Sequence, residues 1–576
     1  MPTASTKRRN AKRSRAKSQG TQETQASQAT QTPSVEASRY ASDVGASAAP
    51  DVPESFWRGA SLAVMLVAAF VRFYALEMNP LHHDEGVNGW FLTRLVREGV
   101  YNYDPANYHG PTLYYFTLVP AFLMEKLGTG MTTFMLRAVT GLFGLAIVWL
   151  VLKLRRHLGT IGALASAALI AVSPGAVYQS RYFIHETLFV FFTLAIVVAV
   201  VRYYERGRTL DIMLAFASAA LLFATKETAF ISVGVLALAY GVAEGWTRLA
   251  GRMGWSADGE RNMETRRGIG MREWVGREFE EGGLARFGGA TQLGLLVLGG
   301  LALFVLINVL FYSSFFTYSK GVAASLETFK IWAKTGSEAH AKPFDTYLAW
   351  LQQEEAPIYV LALLGSVWAL LRGGSRFHIF ACAWAFGLLA AYSIVSYKTP
   401  WLSLNFVVPM AMAGGLAVQW AYERGGRSQV GRRLVLACVA SGLAVSSYQM
   451  VVLNFYRYDD DKYPYVYAHT RREFLQLTGE VERLARRTGA GAKTPVAVAS
   501  PDYWPLPWYL RDYKSVGFLG TVQKYTEPIV IGNESQQAQL QTLLADTHAQ
   551  VGALYPLRPG VNLVLFARRD LLSPRK

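Results

Sequence analysis

Charge is scarce in this chain and cysteine scarcer: only 17% of its 576 residues are Asp, Glu, Lys or Arg, and two are cysteine. So little charge over such a length excludes an ordinary soluble protein, in which about a quarter of the residues are charged. Cys382 and Cys438 both sit inside apolar runs, where a thiol acts as a small hydrophobe, and the CxxC pairs of metal sites or redox motifs are missing. No internal repeat marks the paired halves of a secondary transporter. The net charge of +16 does not point to nucleic acid, because the arginines fall in short segments between apolar runs and not along one amphipathic face.

What fills the chain is apolar, with 52% hydrophobic and 13% aromatic residues. A run of about twenty apolar residues crosses about 30 Å of hydrocarbon as a helix. Such runs start with WRGASLAVMLVAAFVRFYAL near residue 57 and recur near 132–153, 160–178, 186–203, 209–224, 228–244, 291–312, 355–372, 377–396, 401–420 and 432–453. The fold class is therefore a polytopic α-helical membrane protein with about eleven transmembrane helices. Residues 1–55 are rich in Ser, Thr, Ala and Gln behind a KRRNAKRSRAK start. They read as a disordered basic cytoplasmic tail, with no apolar segment close enough to form a signal peptide.

The arginine-bearing connections KLRRHLG, RYYERGR, 245–290, LRGGSRF and YERGGRSQVGRR all face the cytoplasm if each span crosses once, as positive-inside topology requires. The same rule treats PTLYYFTLVPAFLMEKL at 111–127, which contains Pro120, as a re-entrant or interfacial helix of a first outer loop spanning 79–131. Counting it as a crossing would turn the later arginine clusters outward. The transmembrane region then occupies 56–454. Beyond it, TPVAVAS, VGFLG, EPIVIG and VNLVLFA read as strands and QQAQLQTLLADTH as a helix, giving a small extracytoplasmic α/β domain over 455–576. The expected location is the cell membrane, multi-pass, with the amino terminus cytoplasmic.

The densest polar chemistry lies where the first span ends, in PLHHDEGVNGWFLTRLVREGVYNYDPANYHGP. His82, His83, Asp84 and Glu85 are consecutive, and Asp104 and His109 follow. An interfacial loop of solvated charges would account for one such cluster. However, further outward turns add Arg181, His185 and Glu186 in SRYFIHE, Lys226 and Glu227 in ATKET, His340 and Lys342 in HAKPFDTY, and Lys398 and Trp401 in SYKTPWL. Arg181 and His185, four apart, could share a helix face. A single lysine at a span end snorkels; acids, histidines and cations at several outward turns suggest one site under an external loop. That assembly suits transfer of a sugar from a lipid phosphate, with cations holding the departing phosphate and Asp taking the acceptor's proton.

These motifs resemble the membrane glycosyltransferases of GT-C type, which include the protein mannosyltransferases that use dolichyl-phosphate-mannose and the enzymes that add aminoarabinose to lipid A. HHDEGVNGWF, YDPANYHGP, TKET and YKTPWL, followed by DYWPLPWYLRDY, are most similar to prokaryotic flippase-activity-associated proteins. The resemblance implies Asp84 as catalytic base, with Glu85 beside it and Glu186 helping to bind donor, acceptor or metal. Charge and predicted side assign the donor phosphate to Arg181, Lys226 or Lys398, and His83, Asp104, His109 and Trp401 are further candidate binding residues from the polar turns. His185 with Glu186 is a candidate pair for a divalent metal ion. Expected partners are a polyprenyl-phosphate sugar donor, an extracytoplasmic glycan, lipid or protein acceptor, and membrane lipids, with no nucleic acid. The alternative is a non-catalytic protein that assists translocation of lipid-linked sugars.

Overall fold

The computed structural model describes residues 52–107, 109–253, 289–335, 341–371, 374–425 and 428–573. The basic tail, most of the loop 245–290 and His340 lie outside the described residues. Among the described residues, eight helices are long and apolar enough to cross a membrane: Glu54–Phe73 (α1), Thr133–Lys153, Glu186–Arg206, Ala229–Ala250, Ala290–Tyr312, Arg376–Ile394, Pro400–Gly425 and Gln429–Tyr456. Two further apolar stretches are broken. Thr160–Val172 meets Pro174–Ser180 at 61°, and Thr346–Glu354 meets Ala356–Leu371 at 111°. Proline follows both breaks, where its missing N–H is tolerated in a first helical turn. Thr209–Phe223 is apolar but shorter. Each apolar run thus has a helix, in straight, bent or short form.

Pro400–Gly425 is the central span, 94% buried, whereas Ala290–Tyr312 is 6% and Gln429–Tyr456 11% buried, as suits lipid-facing helices. Close crossing at the centre depends on absent side chains, since a Cβ on Gly415 would come within 2.4 Å of the Gly162 carbonyl oxygen. Small residues let backbones approach in this way inside membranes.

The connections sort to two ends. At one end Arg155 pairs with Glu54 at 2.7 Å, His157 with Glu205 at 3.0 Å and Arg376 with Glu244 at 3.1 Å. The opposite end carries the polar turns named above and helices His83–Glu98 (α2) and Thr112–Lys126 (α3). Both ends of α3 stay there: the Gly110 amide donates to the Thr225 carbonyl at 3.0 Å, and Glu125 lies 3.5 Å from Arg97 of α2. The 111–127 segment is accordingly a helix with both ends at the polar end of the bundle.

The carboxyl-terminal region contains a five-stranded sheet in the order β2-β1-β3-β5-β4, formed by Val496–Val498 (β1), Val516–Phe518 (β2), Ile529–Asn533 (β3), His548–Arg558 (β4) and Val561–Arg568 (β5). β1 pairs in parallel with β2 and β3, and β5 antiparallel with β3 and β4. Alternate residues face opposite sides. Val496, Val498, Ile529 and Leu565 pack on helix Phe474–Arg487, while Ala497, Val530, Val564 and Phe566 pack on Leu540 and Leu544. Helix Phe474–Arg487 and strand β4 were not among the expected elements. The helix has its apolar residues at 474, 477, 481 and 484, a readable period. β4 is disguised by register shifts at Val551/Tyr555 and Pro556/Arg558, and it begins at His548, inside what reads as helix in sequence.

Candidate functional site

The site is organised around the first turn of α2. His82 precedes the helix, and its Nδ1 accepts from the Asp84 amide at 3.0 Å while the Glu85 carboxylate accepts from the His82 amide at 3.0 Å. This is a reciprocal cap with histidine in the Ser/Thr place. It aims the two adjacent acids in opposite directions. Glu85 is fully buried and accepts from Arg137 Nε at 2.8 Å, Arg137 Nη2 at 2.6 Å and the Phe183 amide at 2.8 Å. Burial acts to raise the Glu85 pKa, but the Arg137 guanidinium outweighs it and holds the carboxyl below its ordinary range. Arg137 also binds the carbonyls of Leu76, Asn79 and Pro80. Glu85 therefore ties the loop after α1, the span Thr133–Lys153 and the turn before Glu186 to α2.

Asp84 keeps 43% of its side chain accessible and lies 3.8 Å from His82 Nδ1. Burial of the His82 ring pushes its pKa down to about 4, so the imidazole is neutral at pH 7 and leaves the aspartate charge uncompensated. Desolvation by the surrounding protein raises the Asp84 pKa, opposed by His83, His109 and Lys226.

The YHGP and ATKET segments dock on each other. A Cβ at Gly110 would lie 2.1 Å from the Ala224 carbonyl oxygen, so only glycine admits this contact. Around it, His109 Nδ1 lies 3.2 Å from Glu227, His185 Nε2 lies 3.0 Å from the Gly110 carbonyl, and Lys226 is ion-paired with Glu186. Burial lowers the Lys226 pKa but Glu186 and Glu227 together raise it above the ordinary value; burial raises that of Glu227, and His109 and Lys226 bring it below. Both groups are charged at neutral pH.

Aromatic rings surround His82 and His83, the residues before Asp84. Tyr182, Trp401 and His469 lie 5.2, 6.3 and 5.6 Å from the His82 ring. Trp504 is 6.0 Å from His83, and Tyr467 is 5.9 Å from Trp401.

The expected site residues separate into two groups. His83, Asp84, His109, Lys226, Glu186 and Trp401 gather around the α2 terminus or the adjoining turn. Arg181 turns away: it donates to the carbonyls of Val71, Tyr74 and Ala75 at the end of α1 at 2.6 to 3.0 Å. It also shares no helix face with His185, because the chain is not helical between Ser180 and Glu186. Lys398 donates to the Val395 and Lys342 carbonyls at 2.6 and 3.3 Å. Asp104 accepts from the Ala106 amide in an exposed turn. Among the described residues no group of three His, Cys, Asp or Glu side chains is placed to hold a metal, and the His185–Glu186 pair is divided between the Gly110 carbonyl and Lys226. Arg137, His469, Tyr467 and Trp504 escaped the sequence reading. Arg137 lies inside an apolar span, where an arginine is costly unless paired, and that was an available signal; nothing local marks the other three.

Residues 109–257 match the family model of dolichyl-phosphate-mannose-protein mannosyltransferase, a segment that includes His109, Glu186 and Lys226. No curated protein matches the chain. Among solved structures, ArnT from Cupriavidus metallidurans in the apo state aligns with a TM-score of 0.55 at 14% identity, covering 91% of this chain and 100% of that one. The same protein bound to undecaprenyl phosphate aligns with a TM-score of 0.54 at 14% identity, covering 90% and 99%. The archaeal oligosaccharyltransferase AglB from Archaeoglobus fulgidus, in complex with an inhibitory peptide and a dolichol-phosphate, gives 0.49 at 13% identity over 84% and 70%. The ArnT alignments show that the chain shares the fold of that protein along nine tenths of its length.

Proposed function

We propose that the protein is an integral-membrane glycosyltransferase that moves a sugar from a polyprenyl-phosphate-linked donor to an extracytoplasmic acceptor, with inversion and with Asp84 as general base. The observation that carries this reading is the divergence of Asp84 from Glu85: Glu85 is enclosed by donors, whereas Asp84 keeps 43% of its side chain accessible next to His82 and His83, which aromatic rings surround. The mannosyltransferase match over 109–257 and the undecaprenyl phosphate in the similar ArnT structure support the donor class.

In one displacement, an acceptor oxygen attacks the anomeric carbon while Asp84 takes its proton. The bond from that carbon to the phosphate oxygen breaks, and the polyprenyl phosphate leaves with the electron pair. Lys226, held charged and acting electrostatically on Asp84, supplies positive potential for the departing phosphate.

The test uses purified protein and a panel of radiolabelled polyprenyl-phosphate sugars. Asp84→Asn should retain the wild-type melting profile and lose about 10²- to 10⁴-fold in transfer rate, the usual contribution of a positioned base. If no donor is turned over and both proteins bind lipid-linked sugar equally, the non-catalytic, translocation-assisting reading replaces this one.

A further inference from the structure

The carboxyl-terminal region is built into the wall of the site. Two glycines of α2, Gly86 and Gly89, expose its backbone on one face, and Trp504–Trp508 lies against it. A Cβ at Gly86 would stand 2.6 Å from Pro505 Cβ, and one at Gly89 2.7 Å from Trp508 Cε3. Flanking bonds hold the contact: Arg97 to Asp512 at 2.6 Å, the Leu81 amide to the Tyr509 hydroxyl at 2.9 Å, and Arg511 to the Met131 carbonyl at 2.5 Å. Trp508 is buried by this docking, but Trp504, four residues earlier and beside His83, stays partly exposed. Next to it Arg558 and Asp502 form an ion pair with side chains 22% and 39% accessible, and both act electrostatically on His83. Tyr467 and Trp401, also partly exposed, lie toward the membrane-embedded part, and Asp84 acts on Tyr467.

We propose that Trp504, with the Asp502–Arg558 pair, forms the acceptor subsite, and that the acceptor is a carbohydrate hydroxyl. This rests on the glycosyltransferase reading and deepens it. A pyranose ring presents a face of C–H groups and an edge of hydroxyls. A partly exposed indole suits the face, and a planar carboxylate–guanidinium pair suits the edge, each group donating or accepting two hydrogen bonds. Trp504 is carried by the sheet-containing region and Asp84 by α2, so the glycine-backed contact sets the distance between acceptor platform and base.

The experiment is steady-state transfer by the full-length protein from a radiolabelled polyprenyl-phosphate sugar to p-nitrophenyl glycosides and to a Ser/Thr-rich peptide. The slow release of sugar to water is followed in parallel. Trp504→Ala should raise the glycoside KM about tenfold, the scale of one lost ring contact, while donor is still hydrolysed. Trp504→Phe should recover most of the loss, and Arg558→Ala should also raise the acceptor KM. An unchanged glycoside KM in Trp504→Ala that still hydrolyses donor overturns the subsite, as does wild-type transfer to peptide alone. Wild type inert towards every donor removes the glycosyltransferase reading itself, and is read before any variant.

Discussion

Asp84 and Glu85 are chemically almost the same and adjacent, yet their surroundings push them apart. Glu85 meets a guanidinium and two backbone amides and is held ionised. Asp84 meets a neutral imidazole, and desolvation raises its pKa. A base with a raised pKa is protonated over a wider acidic range, so transfer should rise with pH through an inflection above the ordinary aspartate value of about 3.9. The measurement is kcat/KM against pH in wild type and Asp84→Glu. A flat profile across the acidic limb removes Asp84 from the proton-transfer step. The stability sign is opposite to that of a paired acid: a carboxyl whose folded pKa is raised costs stability once pH exceeds the unfolded value, so Asp84→Asn should not lower the melting temperature. The adjacency of the two acids was plain in the sequence. Which of them would face the open side was not, because that depends on Arg137 and Phe183, 52 and 98 positions away.

Among the elements, α2 joins the membrane-embedded helices to the carboxyl-terminal region, and its sequence HDEGVNGWFLTRLVRE carries both tasks. The acids occupy the first turn; the glycines three apart leave a bare face for Pro505 and Trp508. Gly86→Ala should cost about 1 to 3 kcal/mol, the usual range for overpacking, since the proline ring cannot swing aside as a flexible side chain would. Limited proteolysis would show it as faster cleavage of the carboxyl-terminal region. Transfer should fall with it, through displacement of Trp504 from His83. Unaltered protection in Gly86→Ala would mean that the contact yields without consequence. Gly86 and Gly89 were visible in the motif, but their partners, Pro505 and Trp508, each 419 residues later, were not.

For the whole molecule, the polar site and the basic connections occupy opposite ends, and this separation supports a fixed orientation in the membrane. With positive connections retained in the cytoplasm, the carboxyl-terminal region should be outside. In a background lacking Cys382 and Cys438, Lys493→Cys should react with a membrane-impermeant maleimide in intact cells, and Arg206→Cys only after permeabilisation. The reverse pattern would place the site in the cytoplasm.

Hydropathy and charge in contiguous stretches were sufficient to locate the apolar helices and to gather the polar turns at one end, because insertion into hydrocarbon acts on consecutive residues. The bends at Ser173 and Glu355, the diversion of Arg181 and Lys398 to backbone carbonyls, the opposed fates of Asp84 and Glu85, and the seat of Trp504 beside His83 all arise from contacts between distant segments. Buried charges and carbonyl groups must find partners wherever the packed chain brings them, and only folding establishes which partners those are.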